Sequence, residues 1–174
     1  MAVSVRKLRE AVLQLLYCKE VSGSDEEGVS SFMMEELEIS KRTVLNALER
    51  VNEVMAKHEE IDASIAEISE EYQFERIQRV ERSILRLGVY ELLYDEEIPA
   101  KVAIAEALRL SRKFSTPEAV SFINALLDNI YKQSLGEVTD KGKISEALKV
   151  LLDSQRLAQE AARQEKKDED KVDF

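Results

Sequence analysis

Tryptophan is absent from the 174 residues, and there are only two prolines, five glycines, one cysteine and one histidine. So few glycines and prolines leave little of the punctuation that hairpins and tight turns require. Cys18 alone cannot form an internal disulfide, which fits a reducing compartment. With Cys18 and His58 as the only soft donors, zinc sites and Cys/His nucleophile pairs lose their usual members. A di-iron carboxylate bundle needs two Glu-x-x-His pairs, and Met55 stands three places before His58. No glycine-rich phosphate loop or nucleophile elbow is present. Catalysis is therefore not expected, and neither is a cofactor or a metal. No apolar run reaches the about 18 residues of a membrane span, and charges interrupt Met1–Glu20 where a signal peptide would be apolar. The expectation is a cytoplasmic protein with no membrane association.

What the sequence has in quantity is charge, at 34% of residues, alongside 44% apolar residues, enough for a buried core. The net charge of −10 is unevenly spread, at +2 over residues 1–20, −11 over 21–75, +1 over 76–136 and −2 over 137–174. Such a chain repels a polyanion at long range. Any nucleic-acid contact must be local, in the N-terminal segment or the middle of the chain. The acidic stretch 21–75 reads as a solvated face.

Apolar spacings of three and four recur throughout, with no alternating strand pattern, so the fold class is all-α. A first helix is predicted from about Ser4 to Glu20, then a polar loop over Ser22–Gly28 and a short helix near Ser30–Leu37. Ser40 caps a third helix whose stripe is Val44, Leu48, Val51, Val54 and Met55. Ile61, Ile65 and Ile68 form a shorter helix capped near Asp62, and a strongly patterned one runs from Phe74 to Tyr94. Gly88 inside it costs roughly 1 kcal/mol against alanine, which implies close approach of a neighbouring helix. Pro99 is placed to open the next helix at its first position, and Ser115-Thr116-Pro117-Glu118 signals another that Gly136 ends. A last helix is expected over Ile144–Arg163, with Gln164–Phe174 frayed.

Arg6, Lys7 and Arg9 oppose the dipole of the first helix, and Arg79, Arg82 and Arg86 recur at helical spacing. The latter can equally be ion-pair partners of Glu75, Glu81 and Glu91. Phe122 and Asn124, taken alone, read as a core side chain and a capping or solvated one.

Three segments in order carry a resemblance. The first is Arg6-Lys7-Leu8-Arg9-Glu10 running on to Leu15-Leu16-Tyr17. The second is Val80-Glu81-Arg82-Ser83-Ile84-Leu85-Arg86-Leu87-Gly88, continued by Ile98-Pro99-Ala100-Lys101-Val102-Ala103-Ile104. The third is Phe122-Ile123-Asn124-Ala125-Leu126-Leu127-Asp128. Together they resemble the NusB transcription antitermination family over about residues 4–135. The resemblance implies a bundle of two packed three-helix subdomains, here residues 1–136, followed by a charged C-terminal extension helix in 137–174. It implies a bacterial factor that binds boxA-type single-stranded RNA of ribosomal RNA leaders. It does so with NusE, a small-subunit ribosomal protein, within the RNA polymerase antitermination complex. The family's RNA-contacting positions match Arg6, Lys7, Arg9, Tyr17, Arg86, Phe122 and Asn124, and its partner-facing positions match Tyr17 and Glu81. On that basis arginines pair with phosphates, Phe122 stacks on a base and Asn124 bonds a base edge. A helical adaptor that binds only proteins is the alternative. A third possibility is the RNA-binding appendage of ribosomal RNA cytosine methyltransferases, and it ranks low because no catalytic domain follows.

Overall fold

Ser4 opens α1 (Val5–Ser22) by accepting a hydrogen bond from the Arg6 amide at 3.3 Å. The computed structural model describes residues 4–22, 26–69 and 74–169. Eight α-helices and a single 3₁₀ turn make up these residues, with no strand among them. The second helix, α2 (Glu26–Glu36), begins before the predicted Ser30 and takes in part of the expected loop. Ser40 caps α3 (Lys41–Ala56), its hydroxyl accepting from the Thr43 amide at 3.2 Å, and Val44, Ala47, Val51 and Val54 are buried as their spacing requires.

Two boundaries differ from the sequence expectation. The fourth helix, α4 (His58–Ile68), starts at His58 rather than near Asp62. His58 Nδ1 donates to the Met55 carbonyl at 2.6 Å, holding the break between α3 and α4, while Asp62 is engaged by Arg86. The long helix expected from Phe74 is a 3₁₀ turn (Phe74–Arg76) followed by α5 (Arg79–Leu93), with Gln78 extended between them. Ile77 is buried there, anchoring the break, so an apolar residue in phase with the helix serves a different local conformation.

Pro99 lies at the cap position of α6 (Ala100–Phe114), one place before the first helical residue. Thr116 caps α7 (Pro117–Ser134) by accepting from the Ala119 amide at 3.3 Å, with Pro117 first in the helix as predicted. Gly136 ends α7 in the left-handed region at φ +72°, and the amides of Gly136 and Glu137 reach back to the Gln133 and Lys132 carbonyls. A final helix, α8 (Lys141–Glu169), is longer than Ile144–Arg163, and its regular geometry passes through the stretch expected to fray. Residues 170–174 lie outside the described residues.

α5 is the hub, packing against α1, α4, α6 and α7, while α1 also packs on α3, and α8 lies along α7. The approach of α6 and α7 to α5 passes over Gly88, where an added Cβ would stand 3.2 Å from Ala107 Cβ and 3.3 Å from Leu127 Cδ1. That closeness explains a glycine in the middle of a helix. In α8 only the first half joins the core, through Ile144, Leu148 and Leu151. From Arg156 to Lys167 every residue is exposed.

Candidate nucleic-acid interface

The basic start of α1 separates into three environments. Arg6 is exposed, its guanidinium at a long 3.7 Å from Glu106, and Lys7 donates from the surface to the Leu37 carbonyl at 3.2 Å. Arg9 faces inward. Its Nε donates to both Glu91 carboxylate oxygens, at 2.8 and 3.2 Å, and a guanidinium nitrogen stands 3.6 Å from Glu106. The Arg9 side chain is 10% exposed and that of Glu91 is 6%, so this pair is a tie between α1 and α5 and not a phosphate ligand. Burial pushes the Glu91 carboxyl above its ordinary value, and Arg9 offsets only part of that shift.

A neighbouring cluster ties α1 to α6. Glu10 accepts from Arg109 at 2.8 Å and from Lys113 at 2.7 Å. Burial acts to raise the Glu10 pKa, but the hydrogen bonds from Lys113 and Arg109 outweigh it and the net shift is downward. A carboxyl lowered in the folded state stabilises the fold above its unfolded value of 4.5 and loses that contribution as the pH falls through the lower folded value. Glu10→Gln is therefore expected to cost about 1–2 kcal/mol at pH 7. The difference from the parent should shrink below pH 4.5, as followed by urea unfolding across pH.

Tyr17 lies 11 residues further along α1, about 17 Å from Arg6. It is 38% exposed and borders a groove whose other wall is the 3₁₀ turn and the start of α5, including Arg76, Arg79 and Arg82. Arg76 and Arg79 are exposed. Arg82 is turned towards Glu20 at 2.7 Å, and Arg82 and Arg86 both lie against the Phe74 ring, 5.5 and 5.3 Å from its centroid. Arg86 binds Asp62 through two parallel bonds, 2.8 and 2.7 Å long, and approaches Glu20 at 3.7 Å. The hydrogen bond to Asp62 raises its pKa further. This fork-to-fork pairing joins α4 to α5 and engages Nε and Nη2, so in this structure Arg86 serves as a tie between the two helices.

Phe122 is fully buried, which corrects the expectation that its ring stacks on a base. Position 122 belongs to the apolar face of α7 with Ile123, Leu126 and Leu127, and that face is enclosed by the surrounding helices. Asn124 is exposed on the same helix and remains free to meet a ligand. Glu81 is 2% exposed and accepts from the Ser115 hydroxyl, with its other oxygen buried and unpartnered. Its reach is to the α6–α7 turn, so the predicted partner-facing role does not hold for its side chain in this structure. Among the described residues no group of three or more His, Cys, Asp or Glu side chains could hold a metal ion, and no helix is long and apolar enough to cross a membrane.

The family model that matches residues 6–132 is that of the NusB family, and it spans α1 through nearly all of α7. The chain belongs to the NusB family. It is 35% identical to the transcription antitermination protein NusB of Chlamydia pneumoniae over 129 residues, covering 74% of this chain and 81% of that protein. The fold superposes on T. maritima NusB with a TM-score of 0.65 at 28% identity, covering 82% of this chain and 98% of that one. A structure of antitermination factors NusB and NusE in complex with double-stranded RNA aligns at a TM-score of 0.63 and 27% identity, covering 74% of this chain and 96% of that one. The NusB model ends before α8, so the long last helix lies beyond the family match.

Of the sequence-predicted residues, the NusB fold of this chain leaves Arg6, Lys7, Tyr17 and Asn124 at the surface and turns Arg9, Arg86, Glu81 and Phe122 inward. Arg76 was missed by sequence reasoning. Three residues before Arg79, it is in phase with the arginine row, but the break at Ile77–Gln78 takes it off the helix and onto the groove rim.

Proposed function

We propose that the protein is a transcription antitermination factor that binds boxA-type single-stranded RNA together with NusE, as part of the RNA polymerase antitermination complex in the bacterial cytoplasm. The observation that carries this reading is the family match over residues 6–132, which runs through both the α1 start and the Tyr17 groove. Residues 1–136 form the RNA-binding unit in this reading, a bundle whose described residues hold seven α-helices, α1–α7, one more than two three-helix subdomains would supply, with 137–174 as an added helical extension. Arg6, Lys7, Arg76 and Arg79 supply positive charge to phosphates, Tyr17 offers a half-open aromatic face, and Asn124 offers amide groups to a base edge. On a chain of net charge −10 a few local cations form a modest interface, and a basic partner such as NusE supplies the rest.

The test is fluorescence anisotropy of labelled boxA and scrambled RNA with the protein, with and without NusE, at several salt concentrations. Selective binding that tightens with NusE is expected. The variant Arg6→Ala/Lys7→Ala/Arg79→Ala should flatten the log–log salt dependence by about 2, at roughly 0.7 per lost phosphate contact on a single strand. Absence of selective binding in the presence of NusE would overturn the RNA reading in favour of a protein-only adaptor.

A further inference from the structure

We infer that α8 carries a second RNA-backbone contact that lengthens the bound strand beyond the Tyr17 groove; this rests on the RNA-binding reading above. Alongside the Tyr17 groove runs another, formed where α8 passes the 3₁₀ turn. Its walls include Arg76, Lys149, Asp153, Gln155, Arg156 and Gln159. Arg76 borders both grooves, so the two form one continuous surface from α1 to α8.

The chemistry of that surface suits a phosphate chain. Lys149 and Arg156 are one heptad apart, and Arg163 and Lys167 continue the row at helical spacing. All four lie within an arc of roughly 40° at 100° per residue, on the side of α8 that carries the groove. Asp153 and Glu160 are the acids on the same stripe; Asp153 meets Arg156 only at 3.8 Å, and Arg156 is 68% exposed. Glu146, about 60° round the helix from Lys149, borders the stripe beside Asp153, and Glu165 falls on another face. Gln155 and Gln159 add neutral donors and acceptors between the cations.

The outer half of α8 has no packing role that would account for this pattern. Its residues from Arg156 to Lys167 are exposed, while the apolar anchors Ile144, Leu148 and Leu151 precede them. At 29 residues the helix is roughly 43 Å long, so the row runs outward from the groove along a rigid arm. A cationic line continuous with the groove complements a polyanionic strand leaving it.

The experiment uses the full chain with NusE and three labelled RNAs: the shortest boxA RNA that binds fully, and the same RNA with ten added nucleotides of unrelated sequence at the 5′ or the 3′ end. One extended RNA is expected to bind more tightly than the short one, with a steeper salt dependence. Lys149→Gln/Arg156→Gln should abolish that advantage, flattening the slope for the extended RNA by about 1.4, and leave the short RNA unaffected. Equal affinity of the parent for all three RNAs, or no effect of the double variant, would overturn the inference while the short RNA still binds. Failure of even the short RNA would instead bring down the RNA-binding reading and this one with it.

Discussion

Phe122→Ala is expected to lower the unfolding free energy by about 3–5 kcal/mol, the range for truncating a large aromatic in a closed core. The ring has no exposed surface, and its neighbours in sequence, Ile123, Leu126 and Leu127, are equally enclosed. These residues come from a helix clamped by α4, α5, α6 and α8, so the cavity cannot collapse by moving one free element. Denaturant unfolding followed by circular dichroism reads the loss directly. Phe122→Leu keeps an apolar side chain and should cost less, about 1–2 kcal/mol. It also separates packing from recognition. A ring stacked on a base would contribute about 1–3 kcal/mol, so its loss would weaken RNA binding roughly 5- to 150-fold. The buried ring predicts folded Phe122→Leu protein with the affinity of the parent.

The second large effect is expected at Arg9. Arg9→Ala leaves Glu91 as an uncompensated buried carboxylate, and breaking a buried pair from one side typically costs about 3–5 kcal/mol. Two features keep the loss within that range. Glu91 can take up a proton, since burial already raises its pKa, and Arg9 is within 3.6 Å of a second carboxylate, Glu106, whose attraction is lost as well. The pH dependence has a definite sign. Without Arg9 the folded Glu91 pKa rises further above the ordinary value of 4.5. A folded pKa above the unfolded one gives stability that is present below the unfolded value and is lost as the pH rises. The deficit of Arg9→Ala should therefore be smallest near pH 4.5 and below, growing towards neutrality. Urea unfolding of parent and variant across pH measures it. The double variant Arg9→Met/Glu91→Leu removes both charges and should recover most of the loss, because desolvation of the pair already offsets much of its attraction. RNA binding by that double variant should match the parent, which would separate Arg9 from the exposed Arg6 and Lys7.

These two residues show where local sequence stops being informative. Arg9 has the same one-dimensional appearance as Arg6 and Lys7, three cations within one turn of an amphipathic helix. What distinguishes it is Glu91, 82 positions away, and no local pattern encodes a contact at that separation. Arg86 resembles Arg79 and Arg82 in spacing, yet Asp62, 24 residues earlier, takes up its guanidinium. The possibility that the arginine row serves ion pairs was open in the sequence, but its partners there were the wrong acids. Glu20 and Asp62 are engaged, not Glu75 and Glu81. Arg76 is in phase with the same row, and only the break at Ile77–Gln78 sets it apart on the groove rim.

The amino-acid sequence by itself determined the all-α class, the family, the capping hydroxyls of Ser40 and Thr116, the close approach at Gly88 and the apolar faces of α3 and α7. Each of these depends on spacing within a turn or two, or on the steric demands of one residue, and so is written locally. Only the tertiary structure decided which charges stay in water and which are buried, and that the far half of α8 stands clear of the bundle. A cation's availability to a phosphate is set by the carboxylates that the fold brings beside it, and those arrive from distant parts of the chain.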